Sequence, residues 1–201
     1  MEHSKAYHWL KQGKRRRKIL LAIRQPMTAR QLSQHTEITL DTCSLVLKGL
    51  AGHGLVTCLN GRARRSRLYW LTQPGKQCQS RLQQERGLGV LRNDIPIVDW
   101  ELYGWVCFSH RAAILTALRG PMQPSQIKRV ARSANPELKM SANNVRDVIR
   151  LFLERGIVKR VPGPRKRSHP QYQVTEEGHK LRVLILRANE PAQKHTEGDL
   201  M

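Results

Sequence analysis

Acidic residues are scarce. The chain has 201 residues, with 15 Asp and Glu against 36 Lys and Arg. That scarcity argues against a nuclease or recombinase, which needs several carboxylates placed to hold metal ions. Long apolar runs are missing as well. None approaches the roughly 20 residues of a membrane-spanning helix. The opening residues, MEHSKAYHWLKQG, lack the apolar core of a secretory signal. Cysteine is sparse: Cys43, Cys58, Cys78 and Cys107 lie far apart, without a C-x-x-C pair or a Cys–His cluster. We therefore expect no metal site, and free thiols in a reducing cytosol. Catalytic motifs are also wanting. There is no HExxH and no GxSxG, and the Gly-x-Gly at Gly87–Gly89 lacks the third glycine of a phosphate-binding loop. His53 and His110 have no evident nucleophile or carboxylate partner in the sequence. The chain reads as non-enzymatic and free of cofactors.

What is present in excess is positive charge. The formal net charge is +21 and the isoelectric point is near 10.9. Such a charge repels itself and calls for a polyanionic partner. Nucleic acid is the simplest. An anionic membrane surface would ask for a basic amphipathic helix or a lipidation signal, and neither is evident at the two ends.

The chain also repeats itself. ILLAIRQPM (Ile19–Met27) matches ILTALRGPM (Ile114–Met122), and LKGLAGHGLV (Leu47–Val56) matches IRLFLERGIV (Ile149–Val158). Leu-Thr-x-x-Gly at Leu71–Gly75 matches Val-Thr-x-x-Gly at Val174–Gly178. Two copies are too few for a solenoid, so this is one module used twice. In each copy an apolar periodic segment reads as a first helix, residues 14–24 and 109–119, with Ser109 as an N-cap in the second. Pro26 and Pro121 end these helices. A second helix follows near residues 29–35, capped by Thr28, and near 124–134, starting at Pro124. The third helix starts at Thr39 or Ser141. Cys43, Val46, Leu47 and Leu50 form its inward face, as do Val145, Val148, Ile149 and Phe152. Gly54 and Gly156 end it. A strand, a basic tip, a second strand and a closing helix complete each copy.

That order resembles the winged helix-turn-helix fold. The closing stretches YWLTQPG and YQVTEEG look like the end of the wing in MarR-like and ArsR-like transcription factors. The resemblance covers most of residues 14–86 and 109–187. It implies a mainly α fold with small β-wings, an α+β chain of two tandem winged helix-turn-helix domains. The expected boundaries are 1–87 for the first domain, 88–107 for an aromatic interdomain linker, 108–188 for the second domain and 189–201 for a polar, disordered tail. The linker carries Trp100, Tyr103 and Trp105, which argues that it packs rather than hangs free.

In the resembling families the third helix enters the major groove and the wing meets backbone or minor groove. On that basis the recognition helices offer Thr42, Ser44 and Lys48 in the first copy, beside Asp41. The second copy offers Asn143, Asn144, Arg146 and Arg150. Asn pairs with adenine and Arg with guanine, so the second helix has the better base-reading chemistry. The wings offer Arg62, Arg64, Arg65 and Arg67, then Arg165, Lys166 and Arg167, with His169 adjacent. Lys14, Arg15, Arg16 and Arg17 begin a helix, where the macrodipole disfavours cations. That cost suggests phosphate contact, the alternative being a solubilising or localisation cluster.

The expected partner is double-stranded DNA, with no membrane. A homodimer and a protein partner at the aromatic segment stay open. The expected place is the cytoplasm, on the nucleoid when bound. Two functions fit: a sequence-specific transcriptional regulator, or a replication-initiator or chromosome-organising protein of plasmid, phage or cell. An adaptor that holds proteins would need apolar exposed helix faces, and the basic wings argue against it.

Overall fold

A computed structural model describes residues 2–87, 95–163 and 169–190. The chain is mainly helical with small antiparallel sheets. It divides into two compact units, Met1–Ile95 with Ala188–Met201, and Pro96–Arg187.

In the first unit the order is α1 (Glu2–Lys11), α2 (Lys14–Ala22), β1 (Met27–Thr28), α3 (Ala29–Thr36), α4 (Leu40–Gly52), β2 (Val56–Cys58), β3 (Leu68–Leu71) and α5 (Gln73–Gln84). β3 lies between β1 and β2, antiparallel to both, with Met27 opposite Tyr69 and Val56 opposite Leu71. Thr28 caps α3 through a reciprocal box with Gln31. Leu10, Ile19, Leu20, Ile23, Leu32, Leu47, Leu50 and Leu55 are wholly buried in its core. Each such side chain contributes about 1.5–3 kcal/mol by leaving water.

The second unit continues with α6 (Trp100–Val106), α7 (Ser109–Ala117), α8 (Pro124–Ala134), α9 (Ala142–Glu154), β4 (Val158–Val161), β5 (Gln171–Val174) and α10 (Glu176–Asn189). β4 pairs antiparallel with β5, Val158 opposite Val174. A single bridge, Met122 to Tyr172, stands where the first unit has β1 against β3. At the start of α8 the Gln126 side chain accepts from the Gln123 amide at 2.8 Å, as Gln31 does from the Thr28 amide on α3. Val145, Val148, Ile149 and Phe152 face the core, as the spacing predicts.

The structure adds two points to the sequence reading. Ser109 is not the cap of α7; Phe108 holds that position and Ser109 is the first helical residue. Residues 100–106, expected within an aromatic linker, form helix α6 of the second unit and repeat α1. The register is Tyr7-x-Trp9 against Tyr103-x-Trp105. Trp9 lies between the Arg16 guanidinium, 3.9 Å from its ring, and the stacked ring of His53, also at 3.9 Å. Trp105 lies between Arg111 at 4.0 Å and Arg155 at 4.2 Å. Arg16 donates to the Trp9 carbonyl and Arg111 to the Trp105 carbonyl, at 2.8 and 2.7 Å. Residues 88–94 of the expected linker and 191–201 of the expected tail lie outside the described residues.

The Thr-x-x-Gly motif now has a physical cause. Thr72 donates its hydroxyl proton to the Gly54 carbonyl at 2.6 Å and accepts from the Gly75 amide at 3.1 Å. Thr175 does the same with Gly156 at 2.7 Å and Gly178 at 3.1 Å. A Cβ on Gly75 would strike the Leu55 carbonyl oxygen, and one on Gly178 the Ile157 carbonyl oxygen. Only glycine lets the closing helix approach the strand so closely. Thus one threonine ties the helix end, the strand and the next helix together in both units.

Candidate functional site

Three elements of the first unit carry the residues singled out from sequence. On α4, Ser44 donates to the Leu40 carbonyl at 2.9 Å, and Thr39 donates to the half-buried Thr42 hydroxyl at 2.9 Å. Lys48 and Asp41 are exposed. So too is Leu45, at 71%.

The hairpin tip after β2 presents Arg62, Arg64, Arg65 and Arg67 to solvent. A residue missed in the sequence reading, Asn60, holds that tip. It is 1% exposed. Its Nδ2 donates to the Ser66 carbonyl at 3.0 Å, and its Oδ1 accepts from the Leu68 amide at 2.7 Å. Its own carbonyl accepts from the Ala63 amide at 2.9 Å. The side chain thereby stands in for ladder hydrogen bonds and sets the spread of the four arginines. Arg67 also donates from Nε to the Ala63 carbonyl at 3.1 Å.

The cluster before α2 splits in two. Lys14 and Arg15 are exposed. Arg16 and Arg17 are half-buried and turn back to the end of α1, where they donate to the carbonyls of Trp9 and Lys11. An acceptor within the chain, the negative end of α1, offsets the cost that had suggested an external anion. Arg16 and Arg17 are joints between α1 and α2.

On α9 of the second unit, Asn143, Asn144, Arg146 and Arg150 are all exposed. Asn144 is engaged in capping. Its Oδ1 accepts from the Ser141 amide at 3.0 Å and the Ser141 hydroxyl at 2.7 Å. A bidentate contact to adenine needs that oxygen, so capping competes with base reading. Arg150 pairs with Asp147 at 3.6 Å on the exposed face. Arg165, Lys166 and Arg167 lie outside the described residues; His169 is exposed. Lys159 and Arg160 are exposed on β4.

A cavity of about 470 Å³ opens between α8 and α9. Lys128, Arg129 and Arg132 line it from α8, and Arg146 from α9. Pro124, Ser125 and Ala142 bring the first turns of both helices to its wall. No lining residue is acidic. Of the seven, only Arg146 is a contact residue expected from sequence. Cations spaced at 128, 129 and 132 look like an ordinary solvated helix, and it is the crossing of α9 that makes them a site.

Comparison with protein-family models, with curated proteins and with solved structures finds no match. Among the described residues no helix is long and apolar enough to cross a membrane, and no group of His, Cys, Asp and Glu could hold a metal ion. Burial pushes the thiols of Cys43 and Cys78 up, which suits packing residues rather than nucleophiles.

Proposed function

We propose that each unit is a winged helix-turn-helix module and that the chain binds double-stranded DNA. The observation that carries the reading is the recurrence of exposed cations on the same elements of a repeated scaffold. The hairpin bears Arg62, Arg64, Arg65 and Arg67 in the first unit and Lys159 and Arg160 in the second. The helix before the hairpin bears Lys48 in the first unit and Arg146 and Arg150 in the second. Hairpin cations suit phosphates and the minor groove, and helix cations suit the major groove. Two modules in one chain supply two reading units without dimerisation. The role this favours is a sequence-specific regulator of transcription.

A second reading draws on the engaged polar groups. Ser44 and Asn144 are occupied within their own helices, which leaves few side chains free to read base edges. That favours backbone-dominated binding, as in a replication or chromosome-organising protein. Selection of bound duplexes from a random library near physiological salt separates the two. Non-specific binding is then weak, about 10⁻⁴–10⁻⁶ M. One enriched motif with unlike halves supports the regulator. Salt-sensitive retention without enrichment supports the second reading, and no retention of any duplex contradicts both.

A further inference from the structure

We infer that the groove between α8 and α9 is a phosphate-binding site that the first unit lacks. The argument rests on four cations and their counterparts. Lys128, Arg129, Arg132 and Arg146 surround about 470 Å³ of space. Among the described residues no carboxylate lies in ion-pair contact with any of them. Lys128 and Arg132 stand one turn apart on α8, as do Arg129 and Arg132, so like charges face each other along the helix. The first turns of two helices, of 11 and 13 residues, add the positive ends of their dipoles. An anion removes this repulsion, and arginine forks suit phosphate oxygens. The volume lies in the range of small-molecule pockets. It is large enough for more than one phosphate group.

The repeat supplies the control. With the N-caps Thr28 and Gln123 aligned, Ser33 and Gln34 stand where Lys128 and Arg129 stand; Glu37 has the sequence place of Arg132 but follows the end of α3 in a left-handed conformation, whereas Arg132 lies within α8. Ser44 stands at the place of Arg146. The scaffold does not need these cations, because its other copy does without them and carries an acid at one of the four positions. The ligand chemistry is therefore clustered phosphate, from successive phosphodiesters of a strand or from a free polyphosphate.

This inference concerns the same surface as the proposed DNA binding, and the test separates them. Inorganic tripolyphosphate is titrated calorimetrically into the full chain and into Lys128→Gln/Arg132→Gln. In parallel, the affinity of each for a duplex is measured against salt. If free polyphosphate is the ligand, tripolyphosphate binds with a stoichiometry of one and the variant binds it at least about tenfold more weakly. If the strand backbone is the ligand, tripolyphosphate binds weakly, and the variant lowers the salt slope for duplex by about two. Tripolyphosphate binding without any duplex binding supports the groove and overturns the DNA reading. An intact circular dichroism spectrum, unchanged tripolyphosphate binding and an unchanged salt slope together overturn the groove. A gain-of-function variant guards against a folding defect: Ser33→Lys/Gln34→Arg, at the helical places of Lys128 and Arg129, is expected to raise the phosphate stoichiometry towards two.

Discussion

The first unit carries Ser33, Gln34, Glu37 and Ser44 where the second carries Lys128, Arg129, Arg132 and Arg146. Beneath those positions the two are nearly the same. Leu32 and Ile127 are both wholly buried, as are Cys43 and Val145 and Leu55 and Ile157. The tryptophan sandwich, the threonine tie and the close-approach glycine recur in place. Packing demands shape at a buried site whatever the partner, since interiors are packed to crystal density. A surface position answers only to what it meets. The divergence of one groove on a shared scaffold therefore points to a division of labour. The first unit places four exposed arginines on its hairpin tip, and the second places four cations around the cavity between α8 and α9.

The comparison can be broken at the scaffold first. Gly75→Ala and Gly178→Ala each push a methyl group into a backbone carbonyl, and each is expected to cost about 3 kcal/mol. Hydrogen exchange of the core amides reads each unit separately. If one unit tolerates its alanine, the two ties are not equivalent. Next, Asn60→Ala leaves buried backbone groups at the first hairpin tip without partners, at about 1–3 kcal/mol, and loosens only the first unit. Loss of protection in the second unit as well would contradict that assignment. Removing the guanidinium from the sandwiches, by Arg16→Gln or Arg111→Gln, is expected to cost about 1–2 kcal/mol in either unit. A loss at Arg111 alone would mean that only the second sandwich contributes.

The smallest effect is a pH response confined to the first unit. Tyr7 donates to Glu85 at 2.8 Å, while Lys11 and Arg81 lie 3.1 and 3.6 Å from the same carboxylate. The Tyr7 hydrogen bond and the Lys11 contact hold Glu85 below the ordinary carboxylate range. Its contribution is present above the unfolded carboxyl pKa and fades as pH falls through the lowered folded value. Desolvation, aided by the bond to Glu85, pushes Tyr7 up from 10.0 to about 12. That contribution is complete below pH 10 and is lost between there and about pH 12. Glu85→Gln is expected to flatten both arms of the first unit's pH–stability curve, and unchanged arms would remove the cluster as their source.

The helices and the repeat were legible in the sequence because periodicity, caps and glycine punctuation are local signals. Pro124 opens α8 and Ser141 caps α9 where the residue types ask for it. The capping role of Asn144 was also legible: a Ser followed three residues later by an amide forms a box, and the box occupies the oxygen that a bidentate contact to adenine would use. Helix α6 was hidden by its shortness and its three aromatics, and only the Tyr-x-Trp register against α1 betrays it. The groove and the Asn60 pin were not legible. The groove depends on Arg146, from a separate helix, crossing α8, and the Asn60 pin depends on an irregular turn that brings Ser66 back over six residues; no periodicity announces either meeting.

The most direct test of the account is the salt dependence of duplex binding by the full chain and by Arg64→Gln/Arg65→Gln. Both arginines are exposed on the first hairpin tip, away from every buried tie, so the variant is expected to fold as the parent does. Log affinity should fall linearly with log salt for the parent, and the variant's slope should be shallower by about two, one for each lost phosphate contact. An unchanged slope, or duplex binding that salt does not touch, would contradict the claim that the repeated scaffold exists to hold cations against a nucleic-acid backbone.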